Sequence, residues 1–194
     1  VMPPPKDINN YALFLFCGIL PWTWFSASLL ESSNVLITGG NLIKKVMFPA
    51  EILPIVTVLS NLVHFLLGLP ILVAFLIYFD APIQLSELAW FPIVILVQLL
   101  LTLGLALILS ALTVHFRDLR DILSHVLHLW FWGSPVLYFY GDIQGRFRTL
   151  LRLNPLSHVL VSYQQMLFAG SFDHWRGLAL AGIVSCAVFA LGAV

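Results

Sequence analysis

Hydrophobic residues in this chain come in long blocks separated by short polar punctuation. Five stretches contain no Asp, Glu, Lys or Arg: Ile8–Leu30, Ile52–Phe79, Leu88–Phe116, Ile122–Gly141 and Gly177–Val194. A membrane-crossing helix needs roughly 20 mostly apolar residues. The blocks are too long for barrel strands, and lipid offers an open strand edge no hydrogen-bond partner. The pattern therefore predicts an all-α integral membrane protein with about five transmembrane helices, at about 11–30, 53–79, 90–112, 122–140 and 178–194. Pro21, Pro70 and Pro135 fall inside those ranges. Membrane helices accept such prolines when neighbours satisfy the freed carbonyls.

Composition narrows the class. The 194 residues are 60% hydrophobic and 9% charged, against about 25% charged in ordinary soluble domains. Net charge is zero, so no bulk field draws nucleic acid to the chain. Cys17 and Cys186 lie inside apolar blocks and read as small packing residues. The opening "VMPPPKDINN" is no signal peptide, because a basic region, short apolar core and small-residue cleavage site do not follow in order. The last block stops in mid-hydrophobe, and we expect residues 1–194 to be one membrane domain cut from a longer chain at both ends.

Lysines and arginines do not orient this domain. The connections Glu31–Glu51 and Thr113–Asp121 share one side and hold Lys44, Lys45, Arg117 and Arg120. The other side holds Lys6, Arg146, Arg148, Arg152 and Arg176. The positive-inside rule is tied, but both of those connections should face one compartment.

Four polar segments carry information. In "NLIKKVMFPAEILP", Asn41 suits a helix cap, and Leu42, Ile43, Val46 and Met47 recur on one face. Pro49 should end this short helix. It reads either as an interfacial helix or as a docking element. In "HFRDLRDILSHVLHLW", Arg117 and Asp121 stand four apart, and Asp121, His125 and His128 share a helical face. That face is a polar bundle contact or, with a further ligand, a metal site. "WFWGSPVLYFYG" gathers Trp130, Trp132, Tyr138 and Tyr140 around a Gly-Ser-Pro break. These rings form an interfacial belt or line a path where they could stack on sugars. "LPWTWFS" could supply more rings. Finally, Asn154 suits a helix cap and Pro155 the first helical position of "NPLSHVLVSYQQMLF". This segment should lie in the interface, or dip in and return. No Gly-rich phosphate loop, nucleophile elbow or zinc-protease helix is present, so we assign no catalytic residue and no metal.

In order and spacing, "LPWTWFS", "NLIKKVMFPAEILP", "HFRDLRDIL", "GSPVLY" and "LNPLSHVLVSYQQML" resemble the membrane subunit of type 2 ABC exporters, in the group exporting O-antigen, teichoic acid and capsule-like polysaccharides. The likeness spans nearly the whole chain. It implies a permease with six membrane helices in the full chain, working in the cell inner membrane as a homodimer with a separate ABC ATPase. The chain itself would hold no cofactor; ATP and Mg would sit in the partner. The likeness also implies roles. Leu42, Ile43, Lys44, Lys45, Val46, Met47 and Phe48, hinged at Pro49, would be the cytoplasmic coupling helix. Arg117, Asp118, Arg120 and Asp121 would form the second cytoplasmic loop. Trp130, Trp132, Tyr138 and Tyr140 would contact the sugar path. Arg148, Arg152, Asn154 and Pro155 would belong to re-entrant helices of the outer gate. The cargo would be a lipid-linked polysaccharide. Alternatives are a drug or lipid permease of the same architecture, an integral-membrane enzyme acting on lipid-linked sugars through Asp121, His125 and His128, or a secondary carrier. The last would usually place ionisable groups in mid-span, where this chain has almost none.

Overall fold

A computed structural model describes residues 11–39, 49–79, 81, 84–116, 118–140 and 146–193. The helices are α1 (Tyr11–Thr38), α2 (Ile52–Tyr78), α3 (Leu85–Leu88), α4 (Phe91–His115), α5 (Leu119–Trp132), α6 (Arg146–Leu153), α7 (Pro155–Gln164) and α8 (Trp175–Gly192). Among the described residues α1, α2, α4 and α8 are long and apolar enough to cross a membrane.

α1 and α4 form the inner layer. About half of their apolar stretches is buried (56% and 50%), against 22% in α2 and α8. α1 spreads its apolar residues around the helix and packs on several sides. Trp22, Phe25 and Leu29 pack with Leu101, Leu123, Leu127, Val136, Leu156 and Leu160. Leu13, Cys17 and Trp24 pack with Phe65, Leu72, Val94, Val97 and Tyr163. The exposed side chains of α2, such as Val56, Val63, Leu67 and Ile71, are those that lipid would cover.

Some polar groups inside the bundle find partners, while the buried Trp24 Nε1, Ser28 Oγ, Ser32 Oγ and Ser157 Oγ have none among the described residues. Gln98 of α4, wholly buried, donates from Nε2 to the Pro21 carbonyl at 2.8 Å. Thr102, Thr113 and Ser185 return their hydroxyls to carbonyls four residues back, at 2.7 Å each. This pairing lets a hydroxyl sit in an apolar bundle without a distant partner.

Two boundaries depart from the sequence expectation. α1 continues to Thr38 rather than stopping near residue 30. Glu31 does not end it, because Glu31 Oε2 accepts from Asn61 Nδ2 of α2 at 2.7 Å. Ser32 and Ser33 follow as buried residues, and Ser33 Oγ donates to the Leu30 carbonyl at 2.7 Å. The second departure concerns 122–140: α5 is helical only to Trp132, and Pro135 lies beyond it in a turn instead of within a helix.

Small residues let α4 and α8 meet closely, as in many membrane helix pairs. A Cβ on Gly104 would stand 2.6 Å from the Phe189 nitrogen, and one on Gly192 2.6 Å from the Gly104 carbonyl oxygen. A Cβ on Gly182 would meet Val97 at an ordinary 3.6 Å. Gly104→Ala should therefore force α4 and α8 apart and cost about 1–3 kcal/mol. Gly182→Ala should be near neutral, a contrast that thermal unfolding of the two variants in detergent will check.

Candidate functional site: an interrupted crossing and a buried short helix

The fourteen residues of α5 reach about 21 Å at 1.5 Å per residue, short of a ~30 Å hydrocarbon core. The chain nevertheless runs the length of α1. Trp22 meets Phe131 at 5.4 Å, Phe14 stacks on Phe139 at 5.0 Å, and Tyr11 Oη donates to the Leu137 carbonyl at 3.0 Å. The last part of the crossing, from Gly133, is turn rather than helix.

Non-helical backbone at membrane depth needs partners within the protein. Here side chains supply them. Gln164 Nε2 donates to the Pro135 carbonyl at 2.7 Å, Tyr11 caps Leu137, and Tyr138 Oη donates to the Trp132 carbonyl at 3.3 Å. Ser134, Pro135 and Val136 are buried. A Cβ on Gly18 of α1 would stand 3.0 Å from Gln164 Nε2 and 3.2 Å from the Val136 carbonyl oxygen, so α1, the break and α7 meet there closely.

α7 starts as its sequence predicts. Asn154 Oδ1 accepts from the Leu156 amide at 3.1 Å and Pro155 takes the first position. Asn154 Nδ2 also donates to Ser134 Oγ at 3.3 Å, tying the cap to the break. The helix does not lie on an interface with one face outward. Every residue from Leu156 to Gln164 is buried, including Ser157, His158 and Ser162. The polar side of α7 is accommodated because Ser162 Oγ bonds the His158 carbonyl at 2.8 Å and Gln164 serves the break. After α7 a single π turn, Gln165–Ala169, ends at Gly170, whose φ of 62° is the left-handed conformation that glycine adopts freely.

The four aromatics named from the sequence sit in different surroundings. Trp130 sets its ring edge against Phe25 at 5.4 Å, toward the core. Trp132 is 66% exposed. Tyr138 holds the break, and Tyr140 meets His174 edge-on at 5.7 Å. A cleft of about 380 Å³ instead lies between α1 and α5, lined by Trp22, Ser26, Leu30, Ser124, His128 and Phe131 among others. Trp24 is buried on the opposite side of α1 against Phe65.

The charged residues preceding and opening α5 are solvent-facing. Asp118 precedes it without a side-chain cap, and Arg120 and Asp121 are exposed in its first turn. The Asp121–His125–His128 face is not convergent: His125 Nδ1 bonds the Asp121 carbonyl and His128 Nδ1 the Ser124 carbonyl, both at 2.8 Å. Among the described residues no three His, Cys, Asp or Glu side chains gather as an ion site. Leu42–Phe48 and Arg117 lie outside the described residues, as does the side chain of Arg148 on α6. Pro49 is exposed, and its carbonyl accepts from the Ile52 amide at 3.2 Å ahead of α2. Arg152 is exposed at its side chain, while its carbonyl accepts from His158 Nε2 at 2.9 Å.

One side-chain contact between distant parts of the chain is not revealed by periodicity. His158 Nδ1 and His174 Nε2 stand 2.8 Å apart, the rings meeting edge to edge with centroids 5.0 Å apart and planes within 25°. Sixteen residues separate them in sequence.

Together these features define a multi-pass α-helical membrane protein in which the non-helical stretch after α5 is braced by a buried short helix. The chain belongs to the ABC-2 type transporter family, whose model matches residues 4–168. It is 40% identical over 166 residues to the O-antigen export system permease protein RfbA of Myxococcus xanthus, covering 84% of this chain and 63% of that protein. It is 33% identical over 189 residues to a protein of the same name from Klebsiella pneumoniae, covering 94% and 73%. A second Klebsiella pneumoniae protein of that name is 32% identical over 168 residues, covering 87% and 65%. The chain thus spans 63% to 73% of the length of these relatives.

Gln164→Leu should leave the buried Pro135 carbonyl unpaired and cost about 1–3 kcal/mol. Asn154→Ala should cost about 1 kcal/mol through the lost cap. Both are read by thermal unfolding, and limited proteolysis should cut first within 133–140 in the Gln164 variant.

Proposed function

We propose that this chain is the transmembrane subunit of an ATP-driven exporter in the cell inner membrane that moves a lipid-linked polysaccharide, of the O-antigen type, across it. The observation that carries this reading is the 33% identity over 94% of the chain to a permease named for O-antigen export, within the ABC-2 type transporter family. In this reading two copies form the path and a separate ABC ATPase binds ATP and Mg. Leu42, Ile43, Val46 and Met47 fill a groove on that ATPase, with Lys44, Lys45 and Phe48 around them and Pro49 as the hinge into α2. Arg117, Asp118, Arg120 and Asp121 face the same compartment.

Each nucleotide state must make different contacts with the membrane subunit if ATP is to move it. The interrupted crossing supplies a segment that can change shape without breaking a continuous helix. Arg148, Arg152, Asn154 and Pro155 belong to the outer gate, where guanidinium groups suit the phosphate of a lipid carrier. The α1–α5 cleft, with Trp22 and Phe131 beside Ser26, Ser124 and His128, offers rings and hydroxyl-bonding groups together, a pairing suited to sugars. Teichoic acid or a capsule-like polymer would use the same features. A drug or lipid permease of this architecture is the competing reading.

Two measurements test it. Deleting the gene should abolish long-chain surface polysaccharide, and restoring it should bring the polymer back. Unchanged polymer in the deletion would sink the cargo assignment. Separately, a cysteine at Lys45 or Met47 should cross-link to the ATPase in at least one nucleotide state, and Leu42→Asp should reduce export at least tenfold at unchanged membrane abundance. No cross-link in any state would remove the coupling role.

A further inference from the structure

The contact between His158 and His174 has a defined proton arrangement. A carbonyl only accepts, so His158 Nε2 carries the hydrogen donated to the Arg152 carbonyl. In its neutral form His158 Nδ1 is then bare and accepts the hydrogen on His174 Nε2. The contact joins three parts of the fold: the last turn of α6 through Arg152, α7 through His158, and the residue preceding α8 through His174. Gly177 of α8 makes room for it. A Cβ there would fall on the His174 ring and 2.7 Å from His158 Nδ1.

One added proton is compatible with this geometry. It can enter at His174 Nδ1 and leave the shared hydrogen in place. Alternatively it enters at His158 Nδ1, and His174 turns tautomer to accept through Nε2. A second proton is not compatible, since both facing nitrogens then carry hydrogen and both rings a positive charge. Like charges at this separation repel strongly where water is scarce.

We propose that His158 and His174 form a proton-sensitive clasp, which holds α7 to the start of α8 while the pair carries at most one proton and releases it when both rings are protonated. The clasp is independent of the cargo. His158 is buried and His174 is half-buried. Burial, and then the charge of His158, hold the His174 imidazole down to about 4 from its usual 6.5. A base held down in the folded state is fully stabilising above its unfolded value. That contribution is lost as pH falls through the folded value. The window for release therefore opens below about 6.5 and is complete below about 4.

Other ionisable groups lie around the pair. Tyr140 and His174 meet ring edge to face at 5.7 Å. Asp173 and the Arg152 side chain are exposed, and Arg176 is exposed with its guanidinium over the Trp175 ring at 5.2 Å. Within α7 the neighbouring polar groups are the neutral Ser157 and Ser162.

Hydrogen exchange read by mass spectrometry on the whole protein in lipid nanodiscs tests this. The wild type should lose on the order of ten- to a hundredfold protection at the amides of 171–178 between about pH 7 and about pH 4. This is measured relative to α4 and corrected for intrinsic exchange. His174→Gln should remove that response, because a glutamine amide can donate or, after flipping, accept. Gly177→Ala should loosen the same amides already at pH 7 and show little further change on acidification. A flat wild-type profile overturns the clasp, as does a His174→Gln or Gly177→Ala variant that follows the wild-type pH response.

Discussion

Every backbone amide and carbonyl that enters lipid must find its partner inside the protein. The architecture around α1 follows from that constraint. Where the chain stays helical the partners are automatic, so α2 and α8 can present apolar side chains outward. Where the helix stops at Trp132 they are not, and side chains from α1, from α7 and from the break itself close the gap. Tyr11, Tyr138 and Gln164 bond the carbonyls of Leu137, Trp132 and Pro135. The interruption is thus a built feature with its own supports. Its burial against α1 is a requirement of the free carbonyls as much as a consequence of its aromatic residues.

The same requirement explains why α7 sits inside the bundle. Its sequence mixes Ser157, His158, Ser162 and Gln164 with Leu156, Val159, Leu160 and Tyr163. An isolated helix of this pattern would float at an interface. Inside the bundle its polar side chains answer needs that apolar neighbours could not meet. Asn154 and Gln164 bracket the break from Ser134 to Pro135, and His158 fastens to α6 and to the residue before α8. The break, α7 and the entry to α8 are therefore mechanically one unit. Moving one of them means exchanging hydrogen bonds at the other two, which favours a few discrete arrangements over gradual bending.

The parts of this fold legible in sequence are those set by local physics. Four long apolar helices, the Asn154 cap and the Pro155 start follow from block length and from neighbouring residues. The rest depends on partners distant in the chain. Glu31 reads as a helix-ending charge until Asn61, thirty residues on, is seen to receive it. Residues 122–140 carry enough hydrophobicity for a full helix, and their Gly-Ser-Pro signal gives the position of the break. It does not reveal that Gln164 makes an irregular path affordable. His125 and His128 attract notice through their spacing yet turn back on their own helix. His158 and His174, with no periodic relation, form the real pair. Periodicity reports which residues share a helix face, and it is silent on contacts made across a loop.

The α1–α5 cleft gathers polar groups around open volume. Ser26 Oγ donates to the Thr23 carbonyl and Ser124 Oγ to the Asp121 carbonyl, while deeper in the bundle Ser28 Oγ, Ser32 Oγ and Trp24 Nε1 have no hydrogen-bond partner among the described residues. Along this cleft Ser26, Ser124 and His128 stand beside Trp22 and Phe131 around open volume. Lipid chains would leave the second nitrogen of His128 without a hydrogen bond, at a cost that membrane proteins generally avoid by facing such groups to protein or water. The exposed imidazole of His64 on α2 makes the same demand. Both positions therefore call for protein or water beside them rather than lipid chains.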